Sequence, residues 1–246
     1  MKNKILIFIF FIILIGCTKE QPLKSITEQE RKYFLIDNCE GNTNINLLKG
    51  KWYTSADPYG DTIIFPKPTS DFFMFENGSP ETPKYCARIY GYIGPQAGQP
   101  PYGINDYASA GAVCPLAPLS ALIPFDASNF SGIRFYCKIG YMKIKKEKSF
   151  NPNILVILRR QRTENATGGE FQSEKNGLIS GIWTLVELPF SNFTQGSWIA
   201  PDDPRKRPAE PFDDLLAIYF YPNTGVLGLG RDSNFDIFID DVGFYK

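Results

Sequence analysis

Three paired carboxylates are the most evident chemical resource of this chain: Asp202-Asp203, Asp213-Asp214 and Asp240-Asp241. Two carboxyl groups facing each other across a cleft, about 5–10 Å apart, suffice to cleave a glycosidic bond without a histidine. The chain contains no histidine at all, which removes Ser-His-Asp and Cys-His catalysis and most catalytic zinc sites. The first two pairs sit among prolines and polar residues, where solvated loops explain them. Asp240-Asp241 differs, because it lies inside the apolar run Phe235 to Phe244. A buried carboxylate must be paired, protonated or bound to metal; the alternative is a strand end where both reach solvent. The glycine-rich stretch Gly225 to Gly230 lacks the lysine of a phosphate-binding loop and reads as a hairpin loop. The expectation is a protein that is not an enzyme.

The cysteines add no catalytic motif. Leaving Cys17 aside, Cys39, Cys86, Cys114 and Cys137 permit two disulfides in an exported protein, with three possible pairings. Buried free thiols are the alternative. No CxxC spacing occurs, which argues against zinc. Lys+Arg and Asp+Glu both number 26, so a nucleic-acid partner has no electrostatic support.

Short strands position these residues. Aromatics make up 15% of the chain, with 21 Gly and 19 Pro, the profile of strands joined by many turns. Strands are expected at Phe34 to Ile36, Tyr85 to Ile93, Gly132 to Ile139, Ile154 to Leu158, Trp183 to Leu188, Leu215 to Tyr221 and Phe235 to Phe244. Along Gly132 to Ile139, Ile133, Phe135, Cys137 and Ile139 alternate onto one face. On the last strand Phe238, Val242 and Phe244 share one face, and Phe235, Ile237 and Ile239 the other. Phe65 to Pro83 and Gly94 to Asn105 read as long loops. No segment holds a helical period for more than two turns.

The start of the chain reads as an export signal. Lys2 and Lys4 precede the apolar run Ile5 to Ile15, and Leu14-Ile15-Gly16-Cys17 follows. The run spans about 18 Å as a helix, short of the roughly 30 Å needed to cross a bilayer. The Leu-Ile-Gly-Cys ending resembles the lipobox of bacterial lipoproteins, which implies cleavage before Cys17 and lipid on Cys17. The expected organisation is a signal peptide at 1–16, a flexible tether at 17–32 and one β-sandwich domain at 33–246. The expected setting is the bacterial cell envelope, at the outer membrane or cell surface rather than the inner membrane, with the membrane as a partner through the lipid anchor.

Five motifs, in order, resemble family 11 carbohydrate-binding modules and related galactose-binding-like jelly rolls. Leu35-Ile36-Asp37-Asn38-Cys39-Glu40-Gly41 resembles the opening "L-D-D-F-E-G", and Trp52-Tyr53-Thr54 the "W-Y-T" that follows it. Asp126 to Lys138 resembles "D-x-S-x-(Y/F)-x-G-I-x-F-x-x-K", Trp183 to Phe193 resembles "W-K-x-x-x-(I/L)-P-F-S-x-F", and Phe235 to Tyr245 the closing "F-x-(V/I)-D-(D/N)-(V/I)" strand. The resemblance implies an all-β fold, an antiparallel sandwich with a concave ligand cleft. It also implies a structural calcium, with Glu40 and Asp240 as ligands and Asp37 as an outer ligand. Calcium takes several oxygen ligands in irregular geometry. Asn38 and Cys39 depart from the acidic and aromatic residues of the family's opening.

Sugars offer apolar C–H faces and a rim of hydroxyls, so a cleft needs flat aromatics and planar polar groups. Tyr53, Tyr90 and Tyr221 fall near positions where the family places cleft tyrosines, and Trp198 lies in a loop that contributes contacts there. Tyr90 leads, because it shares parity with Arg88 and Tyr92 while Ala87 and Ile89 look core-facing. Arg159, Arg160 and Glu170 are polar candidates, and core packing or a turn is the alternative for each aromatic. The implied partner is a polysaccharide or oligosaccharide. A structural or adhesive lipoprotein that binds protein through the same fold is the competing reading. It predicts a cleft that is shallow or filled by the Phe65 to Pro83 loop, with an exposed apolar patch elsewhere.

Overall fold

A computed structural model of the chain describes residues 33–56, 62–68, 70–72, 74–93, 109–118, 123–144, 153–161, 170–195, 211–223 and 233–246. They form thirteen strands and one 3-10 turn. In chain order the strands are β1 (Tyr33–Asp37), β2 (Tyr53–Ala56), β3 (Ile63–Phe65), β4 (Met74–Glu76), β5 (Tyr85–Ile93), β6 (Ala110–Pro115) and β7 (Gly132–Ile144). They continue with β8 (Asn153–Arg160), β9 (Phe171–Lys175), β10 (Thr184–Pro189), β11 (Thr194–Gln195), β12 (Leu215–Asn223) and β13 (Ser233–Tyr245). Every pairing is antiparallel. One sheet has seven strands in the order β10-β7-β13-β5-β3, with β1 also on β13 and β4 on β5. The other has six, β11-β9-β8-β12-β6-β2. The fold is thus an all-β sandwich of two antiparallel sheets, as the alternation and turn density predict.

All seven expected strands form. The loop expected over Phe65 to Pro83 contains β4, whose Met74, Phe75 and Glu76 pair with β5. A three-residue strand carries too short a pattern to separate from loop. β6 is also new, buried at every position, so it shows no alternation to read.

The core lies between the sheets. Ile133, Phe135, Cys137 and Ile139 of β7 all point into it, as expected. Phe135 meets Phe220 of β12 edge-on at 5.0 Å, joining the two sheets. Phe220 in turn stacks on the fully buried Trp52 at 6.0 Å. Burying each such side chain contributes about 1.5–3 kcal/mol.

The last strand departs from simple alternation. Phe235, Ile237 and Ile239 face the core, and so do Val242 and Phe244. Phe238 is half-buried on the outer face, so the face it was expected to share with Val242 and Phe244 does not exist. The cause is a bulge between Asp240 and Gly243 in the register with β7. Asp241 there takes a left-handed φ of 50°, and the extra residue reverses the parity. The bulge also buries both aspartates completely, so neither reaches solvent at a strand end.

The four described cysteines are all buried free thiols, so the two permitted disulfides do not form among them. Burial pushes each of these thiols up from its ordinary pKa, which makes them poor nucleophiles.

Candidate functional site

Tyrosines of the six-stranded sheet gather on its outer face because the register puts them in adjacent rows. One row runs Tyr53, Val113, Tyr219, Ile157 and Gln172 across five strands. The next holds Tyr221 opposite Leu155, and Leu155 opposite Glu174. Tyr219 and Tyr221 stand two residues apart on β12 and stack at 5.9 Å with 13° between planes. Tyr221 has room to lie across β6 because position 111 is glycine. A Cβ there would come within 2.6 Å of the Tyr221 ring. Val113, Ile157 and Ala217 form the apolar floor, with Tyr53, Leu155 and Tyr221 packed against it.

Polar groups cross the same face. The Arg159 guanidinium donates from Nη1 to the Tyr219 hydroxyl at 2.7 Å. Tyr53 hydrogen-bonds with Tyr219, and burial pushes the Tyr53 hydroxyl well above its ordinary pKa. Tyr221 is raised in the same way by burial, against a hydrogen bond with Ser55. Glu170 precedes β9 and lies within electrostatic reach of Arg159. Burial raises its pKa and Arg159 opposes the rise. The face therefore presents tyrosine hydroxyls, the Arg159 guanidinium and the Glu170 and Glu174 carboxyl groups over an apolar floor. Such a surface suits a ligand with flat apolar faces and a rim of hydroxyls.

Four of the expected ligand residues, Tyr53, Tyr221, Arg159 and Glu170, are brought together here. Tyr90 is not. Its parity is as expected, with Ala87 and Ile89 buried and Tyr90 exposed. But β5 pairs with β13, β3 and β4, so Tyr90 stands on the outer face of the seven-stranded sheet. Position along the chain does not say which sheet a strand joins. Arg160 alternates away from Arg159 into the interior. There it pairs with Asp214 at 2.5 Å and Asp213 at 3.1 Å, so Asp214 is buried rather than a solvated loop residue. Trp198 and Cys17 lie outside the described residues, as do the tether and the Gly94 to Asn105 loop. Tyr219 was missed, although it shares the parity of Tyr221 and the same alternation finds it.

The three carboxylates expected to hold calcium are occupied by protein donors. Glu40 Oε1 accepts the backbone N–H groups of Lys84 at 2.9 Å and Tyr85 at 3.2 Å. Asp37 accepts from the Cys39 N–H at 2.9 Å and Trp52 Nε1 at 2.6 Å. Asp240 accepts from the Ser79 N–H, the Thr82 hydroxyl and the Asp241 N–H at 2.7, 2.9 and 2.8 Å. A calcium site converges oxygens on a cation, whereas these donors converge on the carboxylates. Among the described residues no group of three or more acidic, Cys or His side chains is placed to hold a metal. The residues do not fit calcium. Burial raises Asp37 to about 6 and Asp240 to about 7. Partial protonation and hydrogen bonding thus meet the demand that their burial sets.

No protein-family model matches the chain, and no curated protein does. Solved structures do. A family 11 carbohydrate-binding module from Clostridium thermocellum, in complex with a β-1,3-1,4-mixed-linked tetrasaccharide, superposes with a TM-score of 0.52 at 12% identity. The match covers 86% of this chain and 94% of that one. The family 11 module of a cellulosomal cellulase from the same organism gives 0.51 at 12% identity, over 87% and 94% of the two chains. The chain has the jelly-roll sandwich fold of family 11 modules.

Proposed function

We propose that this chain is a non-catalytic carbohydrate-binding lipoprotein that holds a poly- or oligosaccharide on the outer face of its six-stranded sheet. The observation that carries this reading is the joint placement of Tyr53, Tyr219, Tyr221, Arg159 and Glu170 on that face. The aromatic rings supply surfaces for sugar C–H groups. Arg159 and the tyrosine hydroxyls supply fixed hydrogen bonds for the rim. The two C. thermocellum modules share the fold, and one of them was solved with a mixed-linkage tetrasaccharide, which supports a glycan as the ligand class. Within the Phe65 to Pro83 segment β4 joins the other sheet, which supports a face not filled by that strand.

The lipoprotein half rests on Lys2, Lys4, the apolar run to Ile15 and the Leu-Ile-Gly-Cys ending. Cys17 carries lipid in this reading, and the domain sits at the cell envelope, at the outer membrane or cell surface. Replacing Cys17 with Ala then moves the protein out of the membrane fraction; retention of the variant there would count against an anchor at Cys17.

Binding is tested by titrating the full chain, purified in detergent, with a panel of β-glucan, xylan and mannan oligosaccharides. Saturable binding that Tyr53→Ala weakens at least tenfold supports the reading. Tenfold corresponds to about 1.4 kcal/mol. No binding to any member by a folded protein moves the function to a protein-binding or structural role.

A further inference from the structure

The outer face of the seven-stranded sheet carries a second constructed surface. One register row crosses four strands: Phe65 on β3, Tyr90 on β5, Asp236 on β13 and Tyr141 on β7. Phe65 and Tyr90 stack at 5.2 Å with 18° between planes. Each is 37% exposed, and Tyr141 is 48% exposed. Large aromatics held in the open at neighbouring positions are unusual on a sheet face without a partner.

Between the aromatics lies a locked ion pair. Arg88 donates from Nε and Nη2 to the two Asp236 oxygens at 2.8 and 2.9 Å. Its guanidinium also lies 4.8 Å from the Phe75 ring, 4.9 Å from Tyr90 and 5.0 Å from Phe238. Three rings and a bidentate carboxylate fix one orientation, so little ordering entropy remains to be lost when a ligand binds. Ile63, Phe65, Tyr90, Tyr141 and the ion pair line a groove of about 420 Å³, within the range of small-ligand sites.

We propose that this groove is a second carbohydrate-binding site, on the face opposite the first. Tyr90 and Tyr141 are both register partners of Asp236, on the two strands that flank β13. Two strand spacings put them roughly 10 Å apart. That gap admits one sugar ring in contact with an aromatic on each side, at about 3.5–4 Å per contact. The Arg88–Asp236 pair is neutral overall and offers both donors and acceptors in one plane. This matches vicinal hydroxyls and gives no advantage to a charged ligand. The site takes a neutral pyranose unit of a glycan chain. The inference shares the glycan ligand class with the proposed function but uses no residue of that face.

The test is calorimetric titration of the full chain in detergent with mixed-linkage β-1,3-1,4-tetrasaccharide and with cello-, xylo- and manno-oligosaccharides. The expected result is two sites for at least one sugar. Tyr90→Ala removes one site, weakening it at least tenfold, and the Tyr53→Ala/Tyr219→Ala double variant leaves that site intact. Tyr141→Ala, at a more exposed position, weakens the same site and guards against misfolding of the Tyr90 variant. A single site lost with Tyr53→Ala and indifferent to Tyr90→Ala and Tyr141→Ala overturns this inference alone. A single site lost only with Tyr90→Ala supports it and displaces the six-stranded face as the binding surface. No binding to any sugar overturns both.

Discussion

The hydroxyl of Tyr219 receives the Arg159 guanidinium at 2.7 Å, and through Tyr219 the chain links β8 to Tyr53 on β2. A single hydroxyl thus organises polar groups from the middle of the sheet to its edge. The linkage makes Tyr219→Phe an informative change, because the ring and its stack with Tyr221 survive. The expected outcome is glycan affinity reduced about tenfold, with the melting temperature lowered by only a few degrees, since one buried hydrogen bond to a charged group contributes about 1.5–3 kcal/mol. Parallel titration and thermal melts of the two proteins check it. Unchanged affinity would show that the hydroxyl network serves the fold alone.

Asp37 and Trp52 form a second long-range pair, 2.6 Å from Nε1 to Oδ2, with both residues buried. The indole donor holds that carboxylate together with the backbone N–H groups of Cys39 and Asn38. Trp52→Phe keeps most of the apolar bulk but removes the donor. The expected loss is about 1–3 kcal/mol from the orphaned acceptor together with a small cavity cost. Asp37→Asn/Trp52→Phe should lose less than the sum of the single changes, because the pair is coupled. Denaturant melts of the four proteins decide it, and strict additivity would refute the coupling.

Much of the scaffold was legible because alternation reports burial directly. Ile133, Phe135, Cys137 and Ile139 needed only period two. The same rule oriented Tyr90 correctly on its strand, yet could not say that β5 would pair with β13 and leave Tyr90 on the sheet away from Tyr53. Sheet membership is decided by long-range pairing, which no local pattern carries. Tyr219 was within reach, sharing the parity of Tyr221. Asp240 and Asp241 were visible as carboxylates in an apolar strand, but the bulge between Asp240 and Gly243 was not. A left-handed aspartate is set by the contacts around it, here the Tyr33 hydroxyl and Arg134 on Asp241, rather than by its own propensity.

Asp240 gives the protein a defined pH response. Its folded pKa is raised by burial to about 7 from 3.8, so the native state holds a proton that the unfolded chain releases. The sign follows: this contribution to stability is fully present below about pH 4 and is lost as pH rises through about 7, at up to about 1.4 kcal/mol per pH unit. Asp37, raised to about 6, acts in the same direction over the lower part of that window. Glu81 is lowered and acts oppositely at the acid end. Stability measured by urea melts should therefore decline from pH 5 to pH 7.5. Asp240→Asn, which cannot ionise, should remove this component, so that its stability relative to the parent rises with pH and the slope flattens; an undiminished slope in that variant would assign the response elsewhere.

Calcium should leave the fold unmoved. Glu40, Asp37 and Asp240 already accept protein hydrogen bonds, and these hold the carboxylates in place without a cation. The melting temperature in millimolar calcium should equal that in chelator. A rise of several degrees with calcium would mean that the carboxylates rearrange around the ion.

Gly140 is the position on which the second surface depends. A Cβ there would lie 2.7 Å from Asp236 Oδ2 and 2.8 Å from the Phe238 ring, inside van der Waals contact with both. Only the absence of a side chain lets the carboxylate sit across β7 and face Arg88. Gly140→Ala must push Asp236 aside, at a cost of about 1–3 kcal/mol for overpacking, and it loosens the Arg88–Asp236 pair without deleting a charge. Asp236→Ala removes the carboxylate and with it part of the clash. The double variant should therefore be more stable than the sum of the two single losses predicts, by about 0.5–3 kcal/mol. Guanidinium melts of the three variants and the parent measure that coupling. Its absence would mean that β7 bends away instead, and that Arg88 and Asp236 keep their geometry without the glycine.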